Sequence, residues 1–111
     1  MSVSDDPKEW PDLLRSLTSR NRGRFVTMQV TGVLTAHADH FILRELAYDP
    51  VDRCIEIRVT DTADGRCGIT RTIGHPTSLV VHRGPEGRER ALEVEQDRGS
   101  TMILFLDDIT H

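Results

Sequence analysis

Aromatic side chains are scarce in this chain: Trp10, Phe25, Phe41, Tyr48 and Phe105 make up 5% of its 111 residues. So few rings exclude the interleaved stacking platform of a single-strand nucleic-acid binder. Lysine is scarcer still, because of fourteen basic residues only Lys8 is not an arginine. Two causes fit that bias, GC-rich coding and selection for the bidentate anion contacts of a guanidinium. Cysteine is limited to Cys54 and Cys67, which excludes a small disulfide-rich secreted scaffold. No apolar run approaches the ~20 residues of a helical membrane span. The opening MSVSDDPKEW has neither a basic nor an apolar leader segment, so no secretory signal is expected and a cytoplasmic location is.

The residues that remain suit a single domain. A chain of this length buries roughly 65% of the surface it exposes when unfolded, enough for one core. Eighteen acidic residues against fourteen basic ones leave a net charge of -4. That balance argues against a surface that tracks nucleic acid throughout, while leaving room for a local basic patch.

Residues 1–8 are polar and are expected as a flexible tail, with 9–111 forming the domain. Trp10, Leu13, Leu14 and Leu17 then recur at i, i+3, i+4 and i+7, the helical period. Pro11 suits the first turn, where its missing N–H costs nothing, so the helix is placed to start there. Arg20 and Arg22 complement the helix dipole at its end, and Gly23 can adopt the left-handed conformation that terminates it.

Beyond Gly23 the period falls to two. Residues 25–33 (FVTMQVTGV) alternate around Val26, Met28 and Val30 and predict a strand. Residues 41–48 (FILRELAY) predict another, possible from Ala36 onward, with poorer alternation. Asp49-Pro50-Val51-Asp52 is a turn with proline second. Cys54 to Asp61 sorts Ile55, Ile57 and Val59 from Glu56, Arg58 and Thr60, and Asp64-Gly65 ends a hairpin loop. Matching apolar faces sets Ile55 opposite Ile73 and Val59 opposite Ile69. Cys67 then lies opposite Asp61, roughly 20 Å or more from Cys54 at ~3.4 Å per residue, so both thiols are expected to be free. Gly74-His75-Pro76-Thr77 breaks the ladder, Ser78–Arg83 is a short strand, and Ala91–Gln96 with Thr101–Leu106 forms a last hairpin. The run Met102–Leu106 is apolar throughout and belongs near the centre of a sheet.

The order of several of these pieces resembles a known family. Trp10-Pro11 opens the helix, Arg22-Gly23 closes it, and Phe25-Val26-Thr27 follows. Then come Ile73-x-His75-Pro76-Thr77, Ala91-Leu92-Glu93-Val94-Glu95 and Thr101-x-x-Leu104-Phe105. Over residues 9–105 this is similar to the bacterial domain-of-unknown-function family fifty-three thirty-five. The resemblance implies a compact bacterial domain and carries no activity or cofactor. Arg24 departs from it, standing where an aromatic residue would be expected.

Candidate chemistry is sparse. His37 and His40, with Asp39 between, form the most ligand-like cluster, and Cys54, Cys67, His75 and His82 could complete a zinc site. None stands at C-x-x-C or H-x-x-x-H spacing, so no metal and no cofactor are expected. Asp61 to Gly65 resembles half a calcium loop but lacks its oxygen series, with Arg71 where the bidentate Glu belongs. No G-x-S-x-G, P-loop or G-x-G-x-x-G occurs, and Cys54 is expected on the polar face of its strand, exposed and unreactive. Glu93 and Glu95 alternate with Leu92 and Val94 as a solvated face would. The one local concentration of positive charge is Arg15, Arg20, Arg22 and Arg24 around the helix C-terminus.

Together these features predict an α+β domain, one N-terminal helix followed by about seven antiparallel strands in a curled sheet or small barrel. The function expected is a non-enzymatic protein-interaction or stress-associated accessory module, its sheet edges pairing with a protein partner or a second copy. The alternative is a small nucleic-acid-binding barrel that uses the four arginines, since a helix leading into a bent meander is also the order of Sm-like folds.

Overall fold

A computed structural model describes residues 2–30, 41–61, 68–97 and 99–106. The elements run β1 (Ser2–Ser4), α1 (Trp10–Asn21), β2 (Phe25–Val30), β3 (Phe41–Asp49), β4 (Cys54–Asp61), β5 (Gly68–Gly74), β6 (Ser78–Arg83), β7 (Glu89–Gln96) and β8 (Gly99–Phe105). All eight strands join one antiparallel sheet in the order β1-β6-β7-β8-β2-β3-β4-β5. The sheet is open, with β1 at one end and β5 at the other, which corrects the expectation of a small barrel. Barrel closure needs the first and last strands of the order to bond, and among the described residues each has one neighbour.

Helix α1 starts one residue before Pro11, which occupies its first turn. The buried stripe is Trp10, Leu14, Leu17, Thr18 and Asn21. It packs on the sheet face that carries Val26, Leu43, Leu46, Ile55, Ile57, Val59, Leu79, Val81, Leu92, Val94, Ile103 and Phe105. Trp10 meets the half-buried Tyr48 ring edge-on at 5.1 Å, the arrangement favoured by ring quadrupoles. Thr18 is buried because its hydroxyl is satisfied twice over. Oγ1 donates to the Leu14 carbonyl at 2.8 Å and accepts from the Leu46 N–H at 2.9 Å, clamping α1 to β3.

The poor alternation of residues 41–48 has a local cause. The β3–β4 register shifts between Leu43 and Glu45, so Leu43 and Leu46 both reach the core with Arg44 bulged between them. One extra residue breaks the period of two without ending the strand. The β4–β5 register is the one that matching faces predict, Ile55 with Ile73 and Val59 with Ile69. The apolar run near the C-terminus lies in β8, between β7 and β2. Its alternate residues Ile103 and Phe105 are buried, while Met102, Leu104 and Leu106 are half-buried on the face away from the helix.

Two elements depart from expectation. The stretch read as a tail contains β1, whose Ser2, Val3 and Ser4 pair with Val81, Val80 and Leu79. Three residues are too few to show a period, so this strand is specified by the edge of β6 it lies against. Strand β7 begins at Glu89, two residues before Ala91, because the charge at Glu89 is satisfied inside the protein. The hairpin turn read at 62–65, Cys67, and residues 31–40 with His37 and His40 lie outside the described residues.

Candidate functional site

The four arginines of the expected patch go to three different places. Asn21 ends α1, and the Arg22 N–H bonds the Thr18 carbonyl at 2.8 Å. Gly23 follows with φ +90°, a conformation glycine adopts without a Cβ penalty. Its N–H donates to the Leu43 carbonyl at 2.9 Å, and Leu43 N–H returns a bond to the Arg24 carbonyl at 2.9 Å. These bonds turn the Arg24 side chain inward.

Arg24 is only 6% exposed. Its Nη1 donates to Asn21 Oδ1 and to the Glu89 carbonyl, both at 2.8 Å, and its Nη2 donates to the Leu106 carbonyl at 3.2 Å. The guanidinium carbon stands 5.5 Å from the centre of the Phe105 ring, a cation–π distance. The position where an aromatic would be expected therefore holds a cation stacked on one.

Glu89 closes the same knot. Its carboxylate takes Arg20 Nη2 at 2.7 Å, Asn21 Nδ2 at 3.3 Å and Arg83 Nε at 3.6 Å. Burial opposes ionisation of Glu89. Its own backbone N–H, the Asn21 amide and the Arg20 guanidinium outweigh that, and the carboxyl ends below its ordinary value. Arg20 and Arg24 are thus engaged with groups of this chain. Arg15 pairs with Asp12 at 3.5 Å, both exposed, and Arg22 Nε donates to the Arg44 carbonyl at 3.2 Å. Arg15 and Arg22 line a cleft of about 330 Å³ between α1 and β3, which also holds Glu45. Arg20 faces another cleft, of about 460 Å³, with Arg83, Arg88, Glu86 and Glu89. The sequence places the four within ten positions of one another, but the helix turn sends them to opposite flanks and to the interior.

The remaining titratable candidates also separate. His82 Nε2 meets Glu93 Oε1 at 3.2 Å across the β6–β7 pair, and Ser78 Oγ donates to Glu95 Oε1 at 2.5 Å. Glu93 and Glu95 are therefore half-buried and paired rather than a solvated face. His75 is exposed at the β5–β6 break, with φ 51° and its N–H bonded to the Arg53 carbonyl at 2.9 Å. Arg53 also has a positive φ, 53°. Both residues line a shallow cleft of about 610 Å³ with Trp10, Tyr48, Pro50 and Pro76. Its deepest ring, Trp10, is 1% exposed and bonded by Nε1 to the Ser4 carbonyl at 3.3 Å. The cleft is a joint between turns, with its aromatic surface already spent on Tyr48.

Cys54 is free and buried, which corrects the expectation of an exposed thiol. The ladder puts it at the first pair of β4 with β5, covered from both sides by Asp49 and Gly74. Burial pushes the thiol up from its ordinary value, and the charges of Asp49, Asp52 and Glu56 push it further. Asp49, Cys54 and Glu56 bring their ligand atoms within 4.8 Å of one another. Asp49 Oδ1 is already occupied, accepting from the Val51 N–H at 2.9 Å to shape the turn.

The feature that sequence reasoning named only in general terms is the free sheet edge. Strand β5 reads Gly-Ile-Thr-Arg-Thr-Ile-Gly, and Gly68 through Thr72 are all exposed. Among the described residues it has one neighbour, β4. Ile69, Arg71 and Ile73 lie on the helix side of the sheet, opposite Val59, Ile57 and Ile55, with Thr70 and Thr72 on the reverse. No ion pair among the described residues includes Arg71. Among the described residues no helix is long and apolar enough to cross a membrane. No family model, no curated protein and no solved structure matches this chain.

Proposed function

We propose that this chain is a protein-interaction module that accepts an extended segment of a partner along β5. One observation carries the reading. β5 is seven residues long, exposed from Gly68 to Thr72, and bordered on one side alone among the described residues. Its sequence contains no proline and no lysine, and its one edge-blunting charge is Arg71. An outer strand offers a row of backbone donors and acceptors, and an added strand satisfies them while side-chain pairs supply selectivity. Ile69 is 41% exposed on this strand and would be covered by the newcomer.

The test is to pan a displayed library of twelve-residue peptides against the full chain, remake the enriched peptides, and map their footprint by amide hydrogen exchange. Slowed exchange across 68–74 is the expected result. An enriched peptide that protects another surface, or no enrichment at all, refutes strand addition at this edge.

A further inference from the structure

The charge on β5 specifies what kind of segment the edge takes, and this inference rests on the strand-addition reading above. We infer that the occupant is an extended protein segment with a carboxylate side chain facing Arg71 and apolar, β-branched residues two positions to either side. Arg71 is the one charged residue of β5 and stands at its middle, three residues from Gly68 and three from Gly74. It shares the helix-side face with Ile69 and Ile73, and its partner across the ladder is Ile57, not an acid. The charge network of the neighbouring strands runs on the reverse face, through Arg58 and Glu56, which pair with Thr70 and Thr72, and Glu45 of β3, which pairs with Arg58.

A strand laid beside β5 puts alternate side chains next to Ile69, Arg71 and Ile73. Directly opposed residues of opposite charge attract, like charges repel, and β-branched or aromatic neighbours favour the isoleucines. The apolar–acidic–apolar pattern is therefore the complement of this face. The threonines on the reverse accept β-branched polar residues equally well.

The same geometry disfavours a second copy of this chain. The strand is a palindrome about Arg71, so a two-fold antiparallel pairing centred there sets isoleucine against isoleucine and threonine against threonine. It also sets Arg71 directly against its counterpart, with no acid among the described residues paired to either. An unpaired cation on an otherwise apolar edge face is a device that blocks edge-to-edge self-association. It leaves an oppositely charged partner free to bind.

The test uses two labelled, end-blocked peptides, Thr-Val-Thr-Glu-Thr-Val-Thr and its counterpart with lysine in place of glutamate, titrated against the full chain by fluorescence anisotropy. The glutamate peptide is expected to bind ~10-fold more tightly, the order of effect that one attractive against one repulsive cross-strand pair produces. Arg71→Glu should invert the preference and Arg71→Gln should level it, with circular dichroism confirming that each variant is folded. Equal binding of both peptides, unmoved by either substitution, overturns the acidic assignment while leaving strand addition intact. Binding of neither peptide overturns the occupant, and combined with failed panning it removes the strand-addition reading too. A wild-type dimer in light scattering that protects 68–74 from exchange overturns the inference in favour of a second copy.

Discussion

Arg24 and Arg71 carry the same side chain into opposite surroundings. At the helix–strand corner, Arg24 is 6% exposed, bonded to three oxygens of this chain and stacked over Phe105. At the far edge of the sheet, Arg71 is exposed and belongs to no ion pair among the described residues. The first guanidinium is part of how the chain folds, because its two terminal nitrogens are held by three oxygens of this chain and its plane by an aromatic ring. The second is exposed on an outer strand, where water can solvate its charge, and the partner proposed for it is acidic. Arginine content alone does not distinguish these roles; the backbone's direction at each position does.

The sharpest way to break this contrast is to truncate the buried member. Arg24→Ala strands Asn21 Oδ1 and the carbonyls of Glu89 and Leu106, and should cost about 3–5 kcal/mol in urea unfolding. Arg24→Lys should recover little, since an ammonium cannot reproduce the planar fork. A loss below about 1 kcal/mol would show that the corner does not depend on this charge.

Glu89 tests the same corner through pH. Its folded value lies below the ordinary 4.5, so its contribution is complete above that value and disappears as pH falls through the folded one. Wild-type stability should therefore drop between pH 7 and pH 3 by more than that of Glu89→Gln, which is less stable at pH 7 and has no such carboxyl to protonate. Parallel curves for the two proteins would remove the carboxylate from the account.

At the edge, Arg71→Gln should leave unfolding within about 0.5 kcal/mol of wild type, as substitutions of unengaged surface residues do. A large loss there would make Arg71 a folding residue and erase the contrast. The smallest effect belongs to Arg15→Ala. Its ion pair with Asp12 is exposed on both sides, and such pairs contribute about 0.2–0.5 kcal/mol.

Much of the architecture is legible in local chemistry. The helix follows from the spacing of Trp10, Leu14 and Leu17, and its end from Gly23. The β4–β5 register follows from matching Ile55 and Val59 with Ile73 and Ile69. The misses are physical in origin. Strand β1 has too few residues to display alternation and is specified by the edge of β6. The β3 bulge at Arg44 scrambles the period it interrupts. Glu89 falls outside the hairpin expected from Ala91 because nothing next to it in the chain announces Arg20, Asn21 and Arg83. Arg15, Arg20, Arg22 and Arg24 read as one patch because proximity in the chain is not proximity of side chains around a helix end.

The amino-acid order by itself determined what depends on neighbours a few positions apart: one helix, most of the strands, and the face that apolar residues take where the period of two is unbroken. Side-chain period is a local property, written into every segment that obeys it. The tertiary structure alone decided that the sheet stays open, that β2 inserts between β8 and β3, that Arg24 is inside, and that β5 has one neighbour among the described residues. These depend on which distant strand pairs at each edge and which buried charge meets its partners. That is a competition among the whole set of segments, and no single segment records it.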